Sequence, residues 1–475
     1  MVMEFANSLE KVYLCTQNSL EKVYPCTQNS LEKVVMLRRK IDKKLTEWKS
    51  GHNRNPLVIK GLRQCGKTFS ALRFARSNYA HVVYLNFLEN PALREAFAGA
   101  LNVDTIVTML SVLVDSHTRF VPGQTCIIFD EVQECSEART SLKFFKTDGR
   151  YDIICTGSLL GVSGYGESPR SIPVGYETVV DMYPLDFEEF LWAMGIDDNI
   201  VSMLRHCLSE ETAVPQAVHH RLRQLLLQYC IVGGMPAVVS AFLETHQLNQ
   251  VLQMQRDIVR TYEDDMVKYA LPADRPLIRE CFRSIPRQLA KENKKFQYSL
   301  IRKGSTAARF AGSLQWIEDA GIIRRCYNLS ITALPLDGNA MGDCFKVYMS
   351  DMGLFVSMLE DGTQADILMG NLTAYKGAVF ENLMADMLGK MGRRLYYFHK
   401  DSGLEIDFVM RYRGKCTLVE VKATTGNTKS ANTILKHPEK YGVYDCIKLG
   451  DCNVGRNGPK LTLPLYMAFL LTAVS

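Results

Sequence analysis

Gly61-Leu62-Arg63-Gln64-Cys65-Gly66-Lys67-Thr68 follows the apolar run Leu57-Val58-Ile59-Lys60 and opens a helical pattern, Phe69 to Arg76. It fits GxxxxGK(S/T) at every fixed position. Glycines let successive backbone N–H groups curl around an anion, and the helix N-terminus adds positive potential. In that arrangement Lys67 reaches the β- and γ-phosphates and Thr68 offers its hydroxyl to Mg²⁺. The expected nucleotide-binding residues are Gly61, Arg63, Gln64, Cys65, Gly66, Lys67, Thr68 and Phe69, and the expected ligands are ATP and Mg²⁺. A chance Gly-Lys-Thr turn is the competing reading; the strand before it and the helix after it oppose that reading.

Thr125-Cys126-Ile127-Ile128-Phe129-Asp130-Glu131 is a buried-strand pattern ending in two carboxylates. As the acidic partner of a phosphate-binding loop, Asp130 holds Mg²⁺ and Glu131 polarises the attacking water. An acidic pair capping a helix is the alternative. The next strand ends in Thr156-Gly157-Ser158, where a hydroxyl either senses the γ-phosphate, which adds Thr156 to the nucleotide site, or caps a turn. Arg170, in the loop that follows, is either an arginine finger or a solvated side chain.

The surrounding pattern fits a nucleotide-binding α/β domain. From Asn55 to Ala193 apolar strands (Leu57 to Lys60, His81 to Phe87, Thr125 to Phe129, Tyr151 to Cys155) alternate with helical stretches, which predicts a covered parallel sheet. Asn199 to Ala270 reads as nearly all helical, broken at Gly233-Gly234-Met235-Pro236, and this predicts a helical lid.

The 475 residues are 47% hydrophobic and 23% charged, which is globular usage and excludes a disordered or fibrous chain. The 14 cysteines have neither CxxC nor metal-ligand spacing, and no signal peptide is evident. They are expected to be reduced core thiols in a cytoplasmic protein. The apolar stretch Leu465 to Val474 is too short to cross a bilayer, so no membrane partner is expected. At the other end, Asn-Ser-Leu-Glu-Lys-Val begins at Asn7, Asn18 and Asn29, a period of 11 residues. With Pro25 and only three copies this is expected to be a disordered tail ahead of a helical start at Met36.

Several of these stretches together resemble one family. The phosphate loop, Phe129-Asp130-Glu131-Val132-Gln133, Thr156-Gly157-Ser158-Leu159-Leu160, Tyr183-Pro184-Leu185-Asp186-Phe187-Glu188-Glu189-Phe190 and Gly233-Gly234-Met235-Pro236 are similar to those of prokaryotic AAA+ ATPases, close to signalling (STAND) NTPases, that carry a C-terminal domain of unknown function. The resemblance spans Met36 to the C-terminus. It implies an α/β fold class: a P-loop, additional-strand (ASCE) ATPase core with a helical lid, a winged-helix module and a C-terminal restriction-nuclease-like α/β domain. The expected boundaries are 1–35 tail, 36–197 core, 198–272 lid, 273–370 basic winged-helix-like module and 371–475 nuclease-like domain.

The net charge of +5 is local: Arg275 to Arg325 carries 12 Lys or Arg against 4 Asp or Glu. Arg275, Arg279, Arg283, Arg287 and Lys291 recur every fourth residue and form a stripe along a helix, with Pro286 as a candidate kink. A second helix is expected from a Ser305 N-cap, with Phe310, Leu314 and Ile317 facing a core and Gly321 ending it. The stripe either contacts DNA phosphates or docks on an acidic neighbour.

Near the C-terminus, Leu404 to Met410 and Cys416 to Lys422 alternate with period two around Arg413-Gly414. A two-residue turn there sets Tyr412 opposite Lys415, Asp407 opposite Glu420 and Glu405 opposite Lys422. Ile406, Phe408, Val419 and Val421 then form the apolar face. Two facing carboxylates favour a bound divalent cation, and the pattern is similar to the PD-(D/E)xK nucleases, with Ile406 where the motif has proline. That resemblance implies metal ligation by Asp407, Glu420 and Glu381 and water activation by Lys422; a catalytically dead fold with a Glu405–Lys422 pair is the alternative. The expectation is an ATP-hydrolysing switch acting on duplex DNA, with possible homo-oligomerisation. The alternative is a signalling NTPase whose C-terminal domain only binds a partner.

Overall fold

Apolar runs between helical stretches do build a parallel sheet. The computed structural model describes residues 36–52, 54–114, 118–157, 175–291, 295–371, 375–422 and 428–472. The repetitive tail, Ser158-Leu159-Leu160 and Arg170 lie outside them. The first sheet contains β1 (Leu57–Lys60), β2 (His81–Asn86), β3 (Thr125–Asp130), β4 (Asp152–Gly157) and β5 (Thr178–Asp181), ordered β2-β3-β4-β1-β5 with every pairing parallel. The strand β4 thus stands between the strand feeding the phosphate loop and the strand ending in Asp130. Helices α1 (Ile41–Ser50), α2 (Lys67–Asn78), α3 (Val103–Leu113) and α4 (Ser136–Asp148) accompany the sheet. Its core includes Phe87, Phe97, Phe129 and Phe145, which meet edge to face. The sequence pattern missed β5 because its residues are mostly exposed and carry no apolar run.

Tyr183-Pro184-Leu185-Asp186-Phe187-Glu188-Glu189-Phe190 is a helix start. The Asp186 carboxylate accepts from Glu189 N at 2.9 Å, Glu189 accepts from Asp186 N at 3.0 Å, and α5 (Phe187–Ala193) follows this capping box. The lid comprises α6 (Asp198–Ser209), α7 (Gln216–Val232), α8 (Pro236–Thr245) and α9 (Leu248–Tyr269). The glycine break between α7 and α8 exists because other backbone passes there: a Cβ on Gly234 would lie 2.1 Å from Leu185 O, and one on Gly233 2.6 Å from Gly353 N.

Next come α10 (Arg275–Leu289), α11 (Ala307–Asp319) and the antiparallel hairpin β6 (Ile323–Leu329) and β7 (Ala340–Met349). Phe310, Leu314 and Ile317 are buried as expected, and α10 runs through Pro286. The N-cap of α11 is Thr306, not Ser305, so the helix starts later than its sequence suggests. The arginine stripe is partly neutralised inside the chain. Arg283 makes a bidentate pair with Glu263 of α9 at 2.7 and 2.6 Å, and Arg275 donates to Ala270 O at 3.0 Å.

Helices α12 (Met352–Ser357), α13 (Thr363–Met369) and α14 (Lys376–Lys390) lead into β8 (Leu395–His399), β9 (Glu405–Ile406), β10 (Phe408–Tyr412) and β11 (Lys415–Lys422). After α15 (Lys429–Leu435) and α16 (Pro438–Tyr441) the chain adds β12 (Asp445–Gly450), β13 (Gly455–Asn457) and β14 (Lys460–Pro464). Two sheets result, ordered β7-β6-β8-β9 and β10-β11-β12-β14-β13. Because β6 pairs with β8, the hairpin of the basic segment shares a sheet with the C-terminal strands, across the expected boundary at 370. The apolar stretch near the C-terminus is core: Leu465 to Leu471 is buried, and Phe469 packs on Phe187. Among the described residues no helix is long and apolar enough to cross a membrane. The described cysteines are free thiols, buried except Cys344 and Cys452.

Candidate functional site

The phosphate loop has the backbone its glycines predict. Gly61, Gln64 and Gly66 have positive φ of 156°, 64° and 96°, and a Cβ on Gly61 would lie 1.9 Å from Met182 O. The helix α2 starts directly at Lys67, so its unpaired first-turn amides open into the loop. The Lys67 ammonium donates to Gly61 O at 3.0 Å and Leu62 O at 2.9 Å. Arg63 pairs with Asp265 of α9, Cys65 is buried, and Phe69 is exposed beside Arg73. Arg63 and Phe69 therefore belong to the loop through their backbone, while their side chains are engaged elsewhere.

Asp130 is the hub of the acidic strand. Its Oδ1 accepts from Thr68 Oγ1 at 2.8 Å and from the Thr156 hydroxyl. Its Oδ2 accepts from Tyr84 OH at 2.6 Å and Asn86 Nδ2 at 3.4 Å. Burial and the neighbouring Asp130 charge push the Tyr84 phenol up, which keeps it a donor. Glu131 takes a left-handed backbone, φ 51°, and its carboxylate accepts from Gln133. Tyr84, Asn86 and Arg39 lie outside the phosphate-loop and acidic-strand motifs. Arg39, ahead of α1, is buried and donates to Cys65 O at 3.0 Å, Tyr183 O at 2.6 Å and Glu189 at 3.1 Å. It ties the phosphate loop to the capping box of α5. A lone arginine outside any motif gives no sequence signal for this.

Residues 53–191 match the family described as AAA domain. Over these residues the chain is similar to an AAA domain. Its GxxxxGK(S/T) loop between β1 and α2 is the phosphate-binding motif of P-loop NTPases. Residues 223–365 and 376–464 match two domains of unknown function, DUF8612 and DUF4143. No curated protein matches the chain. Among solved structures the chain is similar to the Walker-type ATPase PABY2304 of Pyrococcus abyssi at 14% identity, covering 70% of this chain and 99% of that one with TM-score 0.39. It is similar to the Aeropyrum pernix ORC1 protein in complex with DNA at 14% identity, 70% and 95% coverage and TM-score 0.28. AMPPCP-bound DnaA from Aquifex aeolicus gives 12%, 59% and 87%, and 0.28. The ATPase assignment rests on the family match and the loop geometry.

The C-terminal carboxylates are arranged differently from expectation. The turn and register from Phe408–Val419 to Tyr412–Lys415 are as expected. The ladder ends there, because the chain crosses between sheets at Asp407: β9 pairs with β8 instead. Asp407 Oδ2 consequently accepts from Val421 N at 2.7 Å. Glu405 does not pair with Lys422; it bonds Lys346 of β7 at 2.8 Å. Lys422 lies 2.6 Å from Glu420 and 3.5 Å from Asp407. Glu381 of α14 accepts from Tyr348 OH at 3.1 Å and lies 3.7 Å from Lys346. Of the expected polar face, Asp407 and Glu420 are buried, whereas Glu405 and Lys422 are half-buried. Burial and Glu381 push the Asp407 carboxyl up. Burial opposes the charge of Lys346, but Glu381 and Glu405 outweigh it and raise its pKa. Among the described residues no three His, Cys, Asp or Glu side chains form a group that could hold a metal. Glu381, Asp407, Glu420 and Lys422 thus gather at one place, with two ammonium groups among the acids.

Proposed function

We propose that the chain is an ATP-hydrolysing switch that acts on DNA. The carrying observation is Asp130, joined through Thr68 to the phosphate loop and through Thr156 to the next strand. In this reading the loop amides and Lys67 bind the β- and γ-phosphates, Thr68 and Asp130 hold Mg²⁺, and Thr156 senses the γ-phosphate. Mg²⁺ supplies neutralisation of the phosphate oxygens. Glu131, placed by its left-handed backbone at the end of β3, accepts the proton of the attacking water. The surplus of cations in 275–325, with Arg287 and Lys291 exposed, supports duplex DNA as the partner. A homo-oligomer belongs to the same proposal. ATP turnover of the full chain with and without duplex DNA tests it: stimulation by DNA is expected, and equal rates contradict the DNA part.

A specific observation favours a second reading for the C-terminal domain. A nuclease centre would place a metal on Glu381, Asp407 and Glu420, but Lys346 and Lys422 already neutralise these acids. The set does not fit a metal in this form, so no cutting step is derived. The domain then serves as a nuclease-like fold that recognises a partner, as in a signalling NTPase. Absence of Mn²⁺-dependent DNA cleavage by the full chain is the expected result; cleavage lost in Asp407→Asn contradicts this second reading.

A further inference from the structure

A cleft of about 870 Å³ separates the C-terminal ends of β1 and β5 from α11, β6 and the α14–β8 turn. Lys60, Arg324, Arg325, Arg393 and Arg394 line it, against Asp181, Glu318 and Asp319. The acids are mostly spent. Lys60 pairs with Asp181 at 3.4 Å and Arg325 with Glu318 at 3.1 Å, while Arg394 reaches out to Asp337 at 2.7 Å. Among the described residues Arg324 and Arg393 make no ion pair.

Both arginines are held in place. The stem of Arg324 lies flush on α14, where a Cβ on Gly389 would come within 2.5 Å of its Cδ, and its guanidinium stands 4.7 Å from the Tyr183 ring centre. Arg393 donates to Arg411 O at 3.0 Å and Leu471 O at 2.7 Å. In each the Nε is buried without a hydrogen-bond partner. Burial pushes the Arg393 pKa down, as expected for a cation lacking an anion. Arg394 likewise stands 5.1 Å from the Tyr327 ring centre. Guanidinium groups interleaved with aromatic rings suit a strand whose phosphates need pairing and whose bases need stacking.

We propose that this cleft binds single-stranded nucleic acid, with Arg324 and Arg393 on its phosphates and Tyr183 and Tyr327 against its bases. The inference rests on the reading that the chain acts on nucleic acid, and it adds a single-strand contact in the cleft to the duplex contact proposed for the α10 stripe. It also gives a route to the ATP site: Gly61 and Leu62 form part of the wall, and their carbonyls hold the Lys67 ammonium. Strand binding and ATP binding then affect each other reciprocally.

The test is fluorescence anisotropy of a labelled oligothymidylate with the full chain across a salt series, beside a labelled duplex. Arg324→Gln/Arg393→Gln is expected to weaken strand binding about tenfold and to flatten the slope of log K against log salt by about 1.4, or about 0.7 per lost contact. Arg150→Gln, at a surface cation outside the cleft that pairs with Asp104 and Asp148, is expected to leave strand binding unchanged. Unaltered strand affinity in the double variant, or no strand binding by wild type, overturns the proposal. Duplex binding that persists in the latter case leaves the DNA reading standing while the cleft falls. If the double variant melts early, Arg394→Gln replaces it, because that side chain is 58% exposed, pairs with Asp337 at the surface and stands beside the Tyr327 ring in the cleft, where it is expected to meet a third phosphate; its expected slope change is about 0.7, and none overturns the proposal.

Discussion

Lys390→Met should be among the most damaging single changes in the chain, and its cost should depend on pH. The Lys390 side chain is 1% exposed and lies 2.9 Å from Asp386 and 3.6 Å from Asp351, both fully buried. Its ammonium also donates to Leu185 O at 3.1 Å and Tyr229 OH at 3.0 Å. Four segments meet there: the turn before α5, the lid helix α7, the Asp351 turn and α14. Methionine keeps the volume, so the loss is electrostatic. Removing one partner of a buried pair costs about 3–5 kcal/mol, since the other charge stays buried. Asp351 keeps its bonds from Gly234 N at 2.7 Å and Leu354 N at 3.0 Å. Asp386 has less to hold its charge, because one of its carboxylate oxygens has no hydrogen-bond partner. Burial already pushes its carboxyl up to about 6, with Lys390 pulling it back down. A carboxyl raised above its unfolded value contributes stability at low pH that is lost as pH rises through its folded value. Without Lys390 the folded value rises further, so the variant should lose more at pH 8 than at pH 5. Urea unfolding of both proteins at the two pH values measures this, and adding Asp386→Asn should recover part of the loss at pH 8. A penalty under about 1 kcal/mol at pH 8, or one equal at both pH values, would refute the reasoning.

Gly234→Ala should lower the melting temperature and weaken ATP binding, because its Cβ would sit 2.1 Å from Leu185 O and break the 2.6 Å bond from Leu185 N to Gly234 O; overpacking of this kind costs roughly 1–3 kcal/mol. A chain beginning at Met36 should match the full chain in melting and ATP turnover, and a clear loss of either would make the repeats part of the fold. Arg279→Glu/Arg283→Glu should weaken duplex binding and flatten its salt slope by about 0.9 per phosphate contact. A lower melting temperature with unchanged affinity would instead assign the stripe to the lid, where Arg283 meets Glu263.

The ATP site was legible because its signal is local: a strand, eight residues and a helix occupy one continuous stretch, and Asp130 ends a second apolar run. Long-range partners left no such trace. Lys346 reaches Glu405 from 59 residues away, and nothing in the β7 alternation marks it as a buried cation. The hairpin register followed from Arg413-Gly414, yet the change of sheet at Asp407 did not, because both neighbouring strands preserve the same period of two. Edge strand β5 lacked an apolar pattern for the opposite reason: little of it is buried.

The central claim is that Lys67 binds the nucleotide and Glu131 drives its hydrolysis. Steady-state ATP turnover and nucleotide affinity of Lys67→Ala and Glu131→Gln, measured side by side in the full chain, test it most directly. Lys67→Ala should lose affinity, whereas Glu131→Gln should retain ATP and lose turnover. Wild-type turnover in Glu131→Gln would contradict the account.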